Sequence, residues 1–144
     1  MTCIGTSCNE QENALDDGLI AYYPFDGNTE DVTQNRSDGE IINDVTLTKD
    51  RLGREDGAYS FDGRSYIEVA KIAPYNNLSA FTLAAWIKPG TYRLHNSIIS
   101  KVAPSRDFTL KIESDGRLNA HFAHLEPSLT YFHTTSPDPI PLGI

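Results

Sequence analysis

The sequence predicts an all-β chain built as a sandwich of two antiparallel sheets. Three observations carry this. From Gly18 onward, short apolar or alternating runs follow one another, each only a few residues long. Clusters of Asp, Asn, Gly and Pro, the residues that make reversals easy, separate those runs. No long amphipathic helical stretch and no internal repeat interrupts the series.

Taken in order, residues 1–17 are polar and aperiodic and read as a leader remnant plus linker, with one domain over residues 18–144. The first strand is expected at 19–25, carrying Tyr22, Tyr23 and Phe25, with Pro24 suited to an edge. Residues 26–39 form a polar loop, followed by short strands at 40–43 and 45–48. After the turn-rich DRLGREDG stretch, 58–61 and 66–69 are expected to pair as a hairpin across Asp62-Gly63-Arg64-Ser65. The strongest run is 81–88 (FTLAAWIK). It is apolar on both alternating faces, as a central strand covered on both sides would be. Strands at 97–102, 108–113, 118–124 and 129–134 complete the set, the middle two joined by a turn at Ser114-Asp115-Gly116-Arg117. Residues 136–144, with three prolines, read as a loop. Phe61, Phe81, Trp86, Phe108 and Phe122 are assigned to the core.

Composition narrows the function. The chain has 144 residues, 20 acidic against 12 basic, and a formal net charge of −8. Nucleic-acid binding is excluded on that balance, since phosphate recognition needs clustered Lys and Arg. No apolar run approaches the roughly 20 residues of a membrane-spanning helix. Both cysteines, Cys3 and Cys8, precede residue 9, so no disulfide staples the body of the fold.

The stretches YYPFDGN (22–28), AYSFDG (58–63) and FTLAAWIKP (81–89), in that order, resemble the entry half of a laminin-G-like, concanavalin A-like jelly-roll domain. The resemblance spans about residues 18–134. It implies a jelly-roll sandwich missing its C-terminal strands. The family's strand opening on Trp or Tyr and then His, with its Asn-Gly hairpin, does not follow residue 136. It also implies a noncatalytic binding module outside the cell, and Trp86 matches the family's buried strand tryptophan. The stretch TCIGTSC (2–8) followed by Asn9-Glu10-Gln11-Glu12 resembles the lipobox end of a bacterial surface lipoprotein, departing from it at Gly5. Cys8 would then be acylated, and the membrane would be met only through that lipid. The alternative is that both thiols are incidental.

For ligands, carbohydrate is the first class and an extracellular protein the second; in the latter case the domain is a structural or adhesion module without a sugar site. Sugar rings stack on exposed aromatic faces while their hydroxyls need oriented polar partners. Tyr92, His95, Tyr131 and His133 are the candidate ligand-binding residues, with Phe132 beside them. Among the early-loop carboxylates, Asp26 and Asp31 are the candidate Ca²⁺ ligands. Asp31 has a second expected role, pinning the loop as an Asx-turn by accepting backbone N–H groups. An enzyme is not expected. Glycan hydrolases of this architecture place paired carboxylates on one strand, and Glu68 has no such companion. His121 and His124, three apart, fall on opposite strand faces and do not chelate one ion together.

Overall fold

The structure, a computed structural model, describes residues 17–70, 80–93, 96–101, 106–124 and 130–143. Every regular element among them is a β-strand, and every pairing is antiparallel. The all-β expectation holds. The chain divides into two compact units, Met1–Pro74 and Tyr75–Ile144.

The first unit carries four three-residue strands: β1 (Glu40–Ile42), β2 (Thr46–Thr48), β3 (Ala58–Ser60) and β4 (Tyr66–Glu68). Their pairing is nested. β2 pairs with β3 and β1 with β4, so the segment is one antiparallel arm interrupted midway. The expected β3–β4 hairpin does not form. Asp62 explains why: its Oδ1 accepts the amides of Arg64 and Ser65 and the Ser65 hydroxyl, at 2.7, 2.9 and 2.9 Å. Held in that way, the Asp-Gly turn bends the returning strand instead of reversing it. Asn43, at a φ of +63°, bridges the interruption by donating from Nδ2 to the Arg64 carbonyl at 3.0 Å. At the tip of the arm, Asp50 accepts the amides of Leu52 and Arg54, both at 2.8 Å, and pairs with the Arg54 guanidinium at 2.7 Å.

No strand forms at residues 19–25. Pro24 has no N–H to donate and Phe25 sits at a φ of +57°, which no ladder accommodates. The segment is tied to the following loop at single points instead. The Val32 amide donates to the Tyr22 carbonyl at 3.1 Å, and the Tyr23 hydroxyl to the Ser37 carbonyl at 2.6 Å.

The second unit holds a four-stranded sheet in sequential order: β5 (Asn96–Lys101), β6 (Arg106–Ile112), β7 (Arg117–His124) and β8 (Thr130–Pro139). The β6–β7 turn lies where the sequence puts it, with Gly116 at a φ of +85°. One face gathers Phe108, Leu110, Ile112, Leu118 and Phe122, of which Phe108, Leu110 and Ile112 are buried. Phe81 packs its ring against Phe108 and Phe122, with centroids 5.4 and 5.5 Å away.

Three further expectations are corrected here. Residues 81–89 form no ladder; Trp86 is 82% exposed, and Phe61 and Phe81 are exposed rather than core. The apolar pattern of this run identified something that packs on a sheet, through Phe81, and not a member of one. Residues 136–139, expected as loop, extend β8. Two features make the prolines tolerable: β8 is an edge strand, and the register slips between Arg117 and Asn119. At that slip the Ser136 hydroxyl takes over from the backbone, accepting the Leu118 amide at 3.0 Å and donating to the Asp138 carbonyl at 2.7 Å.

Candidate functional site

Alternation along the sheet puts Tyr131, His133 and Thr135 of β8 on the face opposite the phenylalanines, together with Asn119 and His121 of β7 and Thr109 and Lys111 of β6. Two of the sequence-predicted ligand residues, Tyr131 and His133, therefore share one polar surface. Tyr131 is 58% exposed and His133 is exposed, because β8 is an edge and nothing pairs beyond it among the described residues. The Tyr131 ring lies 5.6 Å from that of His121, tilted by 41°. One row along, the half-buried His121 stands directly opposite His133. In the next row, buried Asn119 donates from Nδ2 to the Thr135 hydroxyl at 3.0 Å. The surface thus combines ring faces with fixed polar groups, the two things a sugar needs.

Sequence reasoning weighed His121 only against His124 and did not consider Asn119. Their place on this face depends on the β7–β8 register, which sets His121 opposite His133 and Asn119 opposite Thr135.

Tyr92 belongs elsewhere. Its hydroxyl donates to the Ile140 carbonyl, and its ring covers Gly116, where a Cβ would stand 2.6 Å from the ring's Cζ. Gly116, just before β7, is seven residues from Ala123, the partner of Tyr131, about 23 Å at strand rise. Tyr92 therefore clamps the β6–β7 turn to the segment after β8. His95 and Cys8 lie outside the described residues.

The early loop is organised by Asp31, the most buried side chain described, with no exposed surface. Its Oδ1 accepts the amides of Tyr22 and Thr33, both at 3.0 Å. Its Oδ2 accepts the Thr33 hydroxyl at 2.9 Å and the Ser37 amide at 3.0 Å. Burial pushes this carboxyl up, but the three amides and the hydroxyl together outweigh it and hold it below the usual carboxylate range. With both oxygens committed to two donors each, Asp31 has the geometry of the loop-pinning role rather than that of a cation ligand. The Asp31 amide in turn donates to Asp38 Oδ1 at 2.9 Å, while Asp26 is exposed at the loop's outer side. Among the described residues, no group of three or more His, Cys, Asp or Glu is arranged to hold a metal ion.

No protein-family model, curated protein or solved structure matches this chain, so the reading of its function rests on the residues themselves.

Proposed function

We propose that the chain is a noncatalytic extracellular binding module of the laminin-G-like jelly-roll type, and that carbohydrate is its ligand. The observation that supports this is the exposed Tyr131 ring beside His121 and His133, on a face that also carries the Asn119–Thr135 hydrogen bond. An apolar sugar face would stack on Tyr131, and hydroxyls at its rim would bond the imidazoles and Thr135. Each such contact is weak, so affinity would be modest. Attachment at the cell surface through an acylated Cys8 completes the proposal.

A glycan array followed by calorimetry tests it. Tyr131→Ala is expected to weaken binding roughly fivefold or more, corresponding to about 1 kcal/mol of stacking. An array on which the folded chain binds nothing would reject the sugar reading.

A second reading is a structural or protein-adhesion module. Trp86 at 82% and Phe132 at 61% exposure favour it, because large apolar groups at a surface suit contact with another protein.

A further inference from the structure

We propose that His121 and His133 form a cross-strand chelate for a divalent transition-metal ion of the zinc class. The two residues are direct partners in the β7–β8 ladder, within a stretch that pairs without a break from Asn119–Thr135 to His124–Thr130. Directly opposed residues in an antiparallel pair hold their Cβ atoms about 4.5–5.5 Å apart and on the same face. Zinc–imidazole bonds of about 2.0–2.1 Å require two nitrogens roughly 3.3 Å apart, which two rings leaning together from that spacing can supply.

The site is rigid where it needs to be. β7 is an inner strand held on both sides, by β6 and by β8, so the backbone carrying His121 is fixed before any ion arrives. The Tyr131 ring against His121 restricts that imidazole further. His133 is exposed on the edge strand and gives the ion its way in. Each imidazole needs only one nitrogen for the metal. Imidazole is a borderline donor, which favours Zn²⁺, Ni²⁺ or Cu²⁺ over the hard ions Ca²⁺ and Mg²⁺. Two protein ligands leave the remaining coordination positions to water. The chelate shares residues with the sugar-binding face but does not depend on a sugar binding there.

Titration of the full chain with Zn²⁺ alone, by calorimetry and without any glycan, tests the proposal. Cys3→Ser and Cys8→Ser form the background, so that thiols cannot compete. One ion per chain is expected, and His133→Ala should weaken binding roughly tenfold or more through loss of the chelate gain. His133→Gln, which keeps the bulk of the side chain, should lose as much, and the His121→Ala, His133→Ala pair little more than either alone. His124→Ala should leave Zn²⁺ affinity unchanged. No Zn²⁺ binding, an unaltered affinity in both His133 variants, or an equal loss in His124→Ala would each overturn it. Because the glycan array reads a different ligand, failure of the sugar reading leaves this result standing, and the reverse.

Discussion

Replacing Asp31 with asparagine is expected to destabilise the first unit by about 3 kcal/mol, the sum of a buried unpaired donor and lost charge-assisted bonds. The carboxylate meets four donors: the amides of Tyr22, Thr33 and Ser37, and the Thr33 hydroxyl. An asparagine would still accept with its oxygen, but its NH₂ group would confront the Ser37 amide, donor against donor, where no water reaches. Chemical denaturation of the two proteins side by side measures the difference. A midpoint shift worth less than about 0.5 kcal/mol would mean that Asp31 does not organise the loop. The same residue makes the loop acid-sensitive. A carboxyl held below its unfolded value contributes stability that is fully present above about pH 3.9 and is lost as pH falls through the folded pKa. Asp62 is shifted in the same direction, chiefly by the amide of Arg64 and then by the Ser65 hydroxyl and amide. Wild-type stability should therefore decline below about pH 4, and Asp31→Asn should flatten that decline.

Phe108→Ala is expected to cost about 3–5 kcal/mol, the usual range for emptying a buried aromatic position. Phe108 is buried on the apolar face of the sheet, in register with Phe122 and under the ring of Phe81. Removing it leaves a cavity where three rings meet. Trp86→Ala provides the contrast: at 82% exposure the larger side chain should matter less, with a loss under about 1 kcal/mol. Thermal and denaturant melts of both variants decide the point. Equal losses would restore the tryptophan to a core that the fold does not give it.

Legibility followed the range of the interactions involved. The turn at residues 114–117 was readable because a glycine at positive φ and an Asp that caps its own turn act within four residues. Asp31 was readable as a loop former for the same reason, since Thr33 and Ser37 lie two and six residues away. The hairpin expected across residues 62–65 failed because the same Asp-Gly chemistry serves a bend as well as a reversal. The choice fell to the partners already offered by β1 and β2. In the candidate site, Tyr131 and His133 were legible as polar-face aromatics, whereas His121 and Asn119 were not. Their significance lies in what stands opposite, which no local pattern records.

By itself, then, the amino-acid sequence determined the all-β class, the turn at residues 114–117 and the alternation of faces along β6 and β7, because alternation and turn chemistry act between near neighbours. Tertiary structure alone decided which strands pair, that residues 81–89 join no sheet although Phe81 packs on one, and that two histidines twelve positions apart face each other. Register is a property of two strands together, and a one-residue slip would turn every side chain of β8 to the other face.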